Sequence, residues 1–478
     1  MTKHLDIDTK AMRAKILDLA IRGKLTDQRQ EDGNAWDLLK EIQAEKERLI
    51  KEKKIKKEKP LPEITEEEKP FDIPDSWEWV RLGEIIELQS GQDFPKSKYS
   101  DTDKEGIPYI TGASCFTKNG VLENRWTRFP KCIATKGDIL LVCKGSGYGK
   151  ITVCNLQEVH IARQIMAIKR NEHLSLSYIE SFLMARIKLI KENGQGLIPG
   201  ISRDIVLNLL FPLPPLAEQQ RIADKVSALF AQLDVIDKAY EEYQELQQAM
   251  KAKLLELAMQ GKLTDQRKED GDARDLLKEI QAEKEKLIKE KKIKKEKPLP
   301  EIAEEEKPFE IPENWEWVRL GEVIKPEISK LPKKSFTYID IASINNKLNT
   351  IQNAKYLNIE KDKIPSRARV SVEPGDIIFS TVRPYLRNIA IIPDKGGMSP
   401  LVASTGFVPL RAFTGITCRY LFYVSISKYV VSSMTRLMKG DNSPSCKKSD
   451  LLNCPIPISP LAEQKRIVAK LDELLLLL

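Results

Sequence analysis

The sequence predicts a mixed α+β protein: two similar units related by pseudo-twofold symmetry and separated by long antiparallel coiled-coil helices. Three observations predict it. An apolar seam runs through the middle of the chain, in which Ile222, Val226, Leu229, Leu233, Ile236, Tyr240, Tyr243, Met250, Leu254 and Leu257 recur at alternating steps of four and three, with Gln247 as the polar member. A long direct repeat begins at Ala11 and again at Ala249. Between the repeated segments, the composition changes to short β-rich runs separated by glycine turns.

The order of elements follows from these. Residues 1–76 hold a half-helix, a charged helix and a linker, and 77–213 hold a first variable domain. A central helix occupies 214–260, a second charged helix and linker 261–314, a second variable domain 315–457, and a closing half-helix 458–478. Pro214 and Pro215 bar a helix from continuing upstream of Leu216, and Gly261 marks its stop. From Leu216 to Ala258 the rod is roughly 65 Å long at ~1.5 Å per residue. A helix of that length needs a partner, and the chain's ends resemble its two halves. Met12, Ile16 and Leu19 match Met250, Leu254 and Leu257; Ile467, Leu471, Leu474 and Leu478 match Ile222, Val226, Leu229 and Leu233. The expectation is a second rod made from both termini, with the leucines after Leu474 packed away. The alternative is a tandem duplication whose ends do not dock.

The charged segment from Trp36 reads as one Glu/Lys-rich helix through Lys59, with Leu38, Leu39, Ile42, Leu49 and Ile50 as a narrow stripe. Lys51–Lys59 holds six lysines and two glutamates, and Lys289–Lys297 copies it. Such a run either touches phosphates or is a solvated helix end. The proline-punctuated linker that follows is extended. In the first variable domain, strands are expected at 107–111, 138–143, 151–153 and 164–168, with a helix over 177–191. The second domain diverges after Ile324, and there strands are expected at 338–341, 376–380, 389–392 and 406–409, with a helix near 419–434. Shared landmarks are Gly137-Asp138 against Gly375-Asp376, where a turn role is expected, and the repeated Pro-Leu-Ala-Glu-Gln.

With 478 residues, 41% of them hydrophobic and 31% charged, the chain has room for several cores, and its net charge of +8 makes any basic surface local. Seven cysteines without a C-x-x-C pair and three histidines argue against zinc; scattered free thiols suit a reducing cytoplasm. Neither a signal peptide nor a membrane-spanning apolar run is evident. Gly145–Lys150 fails the spacing of a phosphate-binding P-loop, because Lys144 stands where the first glycine is required and Ile151 where Ser or Thr is. These glycines instead lift Lys144, Ser146, Tyr148 and Lys150 off a sheet. A comparable segment, residues 380–388, presents Arg383, Tyr385 and Arg387 around Pro384. Cations, hydroxyls and amides around an aromatic are the groups that meet phosphates and base edges. No nucleophile–base pair, nuclease-like acidic cluster or cofactor loop appears, so the chain reads as a recogniser without chemistry of its own.

The repeated frame resembles the specificity subunit of type I restriction–modification enzymes. The resemblance rests on Gly-Lys-Leu, on LLKEIQAEKERLIKEKKIKKEKPLPEI, on WEWVRLGE, and on PLPPLAEQ with its long helix, and it covers essentially the whole chain. It implies two target recognition domains, each reading half of a split double-stranded DNA sequence, with paired helices as spacer. It also implies two methyltransferase subunits and restriction/translocase subunits as partners. No cofactor is implied in this chain; S-adenosylmethionine, ATP and magnesium are expected in the partners, and no membrane is involved. Motif by motif, it points to Phe94-Pro95 with Lys96 and Lys98 beside it, Tyr109, Gly145–Lys150, Arg163, Gln164 and Gly196–Ile201 in the first domain. In the second it points to Arg367, Arg369, Ser380, Thr381, Arg383, Tyr385, Arg387, Asn388, Ser404 and Thr405. The C-terminal segment supplies only about four seam positions, fewer than the family pattern. A protein-binding scaffold and an independent nuclease are the competing readings.

Overall fold

The computed structural model describes residues 7–145, 147–193, 200–330, 332–394 and 400–478. The central element is one unbroken 44-residue helix, Leu216–Met259. It begins directly after Pro215, and Gly261 lies just past its end in the left-handed region, at φ 67°. A Cβ on that glycine would also meet Pro312 at 2.4 Å, so the stop and the linker fit together.

The chain forms two units, one running to Glu241 and the other from Glu242 to Leu478. In the first unit, the N-terminal helix Thr9–Ile21 runs antiparallel to the first part of the central helix. Thr9 Oγ1 donates to Asp237 at 2.6 Å, Arg13 bridges Asp234 and Asp237 at 2.8 and 2.7 Å, and farther along Gln28 reaches back to Glu218 at 2.6 Å. In the second unit, the C-terminal helix Leu461–Leu475 is placed the same way against the later part of the central helix. Gln247 donates to the Leu478 carbonyl, and Gln266 donates to Glu463 at 2.6 Å.

The seam is only partly the buried face. Ile222, Val226, Leu233, Ile467 and Leu471 are buried; Ile16, Leu19, Leu229, Ile236, Leu254, Leu257 and Leu474 are half-buried; Met12, Tyr240, Tyr243 and Met250 are exposed. In the second half-helix the core instead takes Leu255 and Ala258 with Met259 buried beside them, and the N-terminal helix does likewise with Leu17, Ala20 and Ile21. These helix segments also pack onto the domain that each unit carries, and that packing takes the stripe one residue beyond the heptad positions. Leu476 and Leu477 stay exposed rather than packed.

The charged helices are shorter than the pattern suggests. Ala35–Lys51 and Ala273–Lys289 stop where Lys53 and Lys291 turn left-handed, and Lys54 N–H closes back onto the Leu49 carbonyl at 2.9 Å. The lysine run beyond is almost wholly exposed and non-helical. The linkers are strapped down. Arg81 donates to the Pro62 and Glu63 carbonyls and pairs with Glu68 at 2.9 Å; Arg319 repeats this on Pro300, Glu301 and Glu306. The Arg319 guanidinium holds the Glu306 carboxyl down at about 2.

Within each unit the variable domain is closed by its first and last strands, Glu78–Arg81 on Leu210–Leu213 and Glu316–Arg319 on Pro455–Ile458, both antiparallel. Inside lie two small sheets. In the first domain one sheet runs Trp126–Thr127, Ile107–Ile110, Glu158–Ile161, Ile133–Thr135; in the second it runs Lys355–Leu357, Phe336–Ile339, Leu401–Ser404, Ala368–Val372. The order is the same, with the one parallel pair in the middle of each. The other sheet centres on Ile139–Val142 between Ile165–Ile168 and Ile151–Val153, matched by Ile377–Ser380 between Phe407–Leu410 and Ile389–Ile391. The first domain adds Leu88–Ser90 at an edge. Sequences that diverge after Ile324 therefore carry one topology.

The expected strands at 107–111, 138–143, 151–153 and 164–168 are present to within a residue or so, as are their partners in the second domain, with 338–341 displaced to Phe336–Ile339. The short strands Trp126–Thr127, Ile133–Thr135 and Lys355–Leu357 are too brief to show a period. The expected helix near 419–434 is two helices, Cys418–Ile426 and Lys428–Arg436, because Ser427 is extended and caps the second by accepting from Val430 N–H. Asp138 and Asp376 serve their turns: Asp138 accepts from Thr135 N–H at 2.8 Å and Asp376 from Glu373 N–H at 2.8 Å. All seven cysteines are free, and among the described residues no helix is long and apolar enough to cross a membrane.

Candidate nucleic-acid interface

Four loops meet at one end of the first domain. The connection from Ile139–Val142 to Ile151–Val153 carries Lys144, Tyr148 and Lys150. Gly147 lies so close to Ala113 that a Cβ there would sit 2.1 Å from the alanine's, which brings in the loop after Ile107–Ile110. Gln164, in the turn after Glu158–Ile161, has Oε1 3.1 Å from where a Gly112 Cβ would be, and its carbonyl accepts from Cys143 N–H at 2.7 Å. Lys144 bridges Gly200, and Ile201 N–H donates to the Cys143 carbonyl at 2.8 Å, which adds the fourth loop.

The second domain assembles the same four. Residues 380–388 connect Ile377–Ser380 to Ile389–Ile391. Thr381 N–H donates to the Gly406 carbonyl at 3.0 Å, Val382 bridges Ser445, and Arg383 N–H donates to the Pro444 carbonyl at 2.9 Å. Asn346, in the hairpin after Phe336–Ile339, donates to the Leu386 carbonyl at 2.8 Å. The strand-connecting loop, the loop after the parallel strand, the next turn and a late loop thus converge in both domains.

The placement sorts the expected contacts. Lys96, Lys98, Lys144, Lys150, Gln164, Arg367, Arg369, Arg383, Tyr385 and Thr405 are exposed, and Tyr148 and Arg387 half-buried. Among them Lys96, Lys98, Lys144, Lys150, Arg367, Arg369, Arg383 and Arg387 have no ion pair among the described residues. Arg163 is exposed but bound to Asp93, through Nε at 2.9 Å, so part of its charge is already answered. Ser146 and residues 194–199 lie outside the described residues.

Other expected contacts belong to the frame instead. Tyr109 is buried, and its hydroxyl accepts from Phe94 N–H at 3.1 Å while its ring packs on Phe94, Tyr99 and His160. Ser380 is buried and donates to the Val382 carbonyl at 2.9 Å; Thr381 donates to Gly406 at 3.2 Å. Asn388 and Ser404 are buried too, Ser404 Oγ accepting from Gly406 N–H at 3.3 Å. The physical reason is shared. Each sits on a strand or at its end, and the Tyr109, Ser380, Thr381 and Ser404 side chains bond loop backbone there rather than face outward to a ligand.

Sequence reading missed three parts of the site: Gly112-Ala113, the asparagines 346 and 349, and residues 442–445. The Asp-Asn-Ser-Pro-Ser run at 441–445 is a turn signal that could have revealed the last. It also missed His160. This buried ring accepts at Nδ1 from Cys132 and Lys131 N–H at 3.2 and 3.3 Å, faces the Gln92 carbonyl through Nε2 at 2.8 Å, and stacks on Phe94 at 4.2 Å. Those partners require the neutral ring with its proton on Nε2, and burial lowers its pKa accordingly. His160 therefore pins the segment that leads to Lys96 and Lys98.

The model of the type I restriction modification DNA specificity domain matches twice, over residues 74–245 and 312–477. The chain belongs to the type I restriction–modification specificity family. Relatives include the EcoAI specificity subunit of Escherichia coli, 31% identical over 98% of this chain and 89% of that one. The EcoEI specificity subunit, also of Escherichia coli, is 28% identical over 97% and 88%. Among solved structures, the HsdS subunit from Thermoanaerobacter tengcongensis is 37% identical with a TM-score of 0.32; the match spans 35% of this chain and 44% of that one. The S subunit from M. genitalium is 17% identical, with a TM-score of 0.33, over 85% and 92%. This specificity subunit is a non-catalytic DNA-recognition protein.

Proposed function

We propose that the specificity subunit reads a bipartite double-stranded DNA target, one half with each four-loop cluster. It directs two methyltransferase subunits and the restriction/translocase subunits to that target in the cytoplasm. One observation carries this reading: two domains of one topology bring four equivalent loops together, and those loops differ in sequence while the frame around them repeats. Two divergent domains of one topology, set in a duplicated frame, are what two different half-sites demand. The chemistry, with S-adenosylmethionine, ATP and magnesium, resides in the partners. The helices act as an antiparallel coiled-coil spacer related by a pseudo-twofold axis, which the matched packing of the N- and C-terminal helices supports.

The test is to sequence methylated adenines in a host carrying the complete system, then to replace residues 77–213 with the corresponding domain of a relative. One half of the target changes and the other persists. A change in both halves, or in neither, rejects the assignment of one half-site to each domain.

A further inference from the structure

The turn between Ser380 and Ile389 is unusual in its backbone. Arg383 and Arg387 both adopt the left-handed conformation, at φ 47° and 53°, and bracket the short 3-10 turn Pro384–Leu386. Side chains with a Cβ avoid that region, and it persists only where the surroundings over-determine it. Here they do. Asn346 Nδ2 donates to the Leu386 carbonyl at 2.8 Å, Asn349 Nδ2 to the Ile389 carbonyl at 3.0 Å, and Arg383 Nη2 to the Asn442 carbonyl at 2.9 Å, while Pro384 is buried beneath.

What this holds in place faces solvent. Tyr385 is 48% exposed and Leu386 38%. Burial of these two side chains is not what the restraint achieves; it keeps an aromatic and an aliphatic group side by side and immobile at the surface. Around them the charge is positive. Arg387 lacks an ion-pair partner among the described residues, and its charge adds to burial in lowering the pKa of Lys251 on the central helix. An apolar tip with a cationic rim suits stacked bases between phosphates.

We propose that Pro384–Leu386 is a preformed wedge that inserts Tyr385, backed by Leu386, into a base step of the half-site read by residues 315–457, with Arg383 and Arg387 flanking it. This rests on the DNA-reading function proposed above. The equivalent loop of the first domain is built otherwise. Gly147 and Gly149 shape it, and Tyr148 is half-buried with the Lys191 ammonium 5.2 Å from its ring centroid. Unstacking by a side-chain wedge is therefore confined to one half of the target, apart from the adenines that the methyltransferases extrude.

The experiment uses the full chain with its methyltransferase subunits and duplexes of the identified target. 2-Aminopurine replaces single bases along both halves, omitting the adenines that become methylated. Fluorescence rises several-fold at one step in the second domain's half on binding, the rise is lost in Tyr385→Ala, and it is kept in Tyr385→Phe. A specifically bound wild-type complex with no rise in that half overturns the wedge, as does a rise that survives in Tyr385→Ala. Absence of specific binding by the wild-type complex would instead reject the DNA-reading function itself.

Discussion

Glu218 accepts a hydrogen bond from Trp77 Nε1 at 2.7 Å, in the buried junction where the central helix begins. The second unit repeats it between Glu463 and Trp315, also at 2.7 Å. Each carboxylate takes a further bond from Gln28 or Gln266 at 2.6 Å, and the neighbouring Gln219 and Gln464 accept from Ser175 and Thr417 N–H. The repeated Ala-Glu-Gln thus ties four elements together: the helix, the turn after the half-helix, the start of the variable domain, and the late domain helix that follows Ser175 or Thr417. Its Glu and Gln side chains face this junction while the alanines are exposed, so the motif is a structural lock.

Removing that lock has a defined cost. Glu218→Ala leaves the Trp77 and Gln28 donors without their acceptor, at about 2–4 kcal/mol. Chemical denaturation of the full chain measures it. A loss below ~0.5 kcal/mol would mean that water replaces the carboxylate freely.

Acid sensitivity follows from His160. Its folded pKa is depressed, chiefly by burial, so its stabilising contribution is present above the unfolded value near 6.5 and is lost as pH falls toward the folded one. Glu218, raised by burial, acts oppositely, with its contribution lost as pH rises above the ordinary carboxylate range. Melting followed from pH 7.5 to 5.5 should show a decline that His160→Phe flattens. An unchanged slope in the variant rejects the neutral-ring assignment.

Arg387→Ala should relax reading of one half-site only, at ~1–3 kcal/mol if a bidentate base contact is lost. Arg383→Ala should do the same and also loosen the turn through its bond to Asn442. Methylation assays on targets altered in one half at a time decide this. Equal effects on both halves would make these arginines phosphate contacts or structural, and reject the assignment of base reading to them.

The chain alone should bind DNA weakly and with steep salt dependence, because its net charge is only +8 and its cationic loops lie in two separate domains. Methyltransferase subunits should raise specific affinity strongly. Titrations at several salt concentrations test it; tight, sequence-specific binding by the isolated chain in moderate salt contradicts the dependence on partners.

Seven residues inserted near Ala239 should keep the heptad phase and lengthen the helix by ~10 Å, about three base pairs at ~3.4 Å each. Four residues add ~6 Å with a stutter. Methylated-site mapping should then find unchanged half-sites farther apart. A stable, active complex with the original spacing would show that the helix does not set the distance.

The sequence by itself determined the duplicated frame, the limits of the central helix at Pro215 and Gly261, and the two strand-connecting loops that carry the cations. These depend on local rules: proline geometry, a glycine past the helix end, periodicity over a few turns. Tertiary structure decided which side chains the loops expose. Ser380, Asn388 and Ser404 resemble ligands in composition, yet they are buried, whereas Tyr385 is held outward by Asn346, Asn349 and Asn442 from distant segments. It also decided that Leu255, Ala258 and Met259, not the heptad positions beside them, are the buried residues of the late central helix. Burial depends on partners far along the chain. A residue's type and spacing carry no record of which partner arrives.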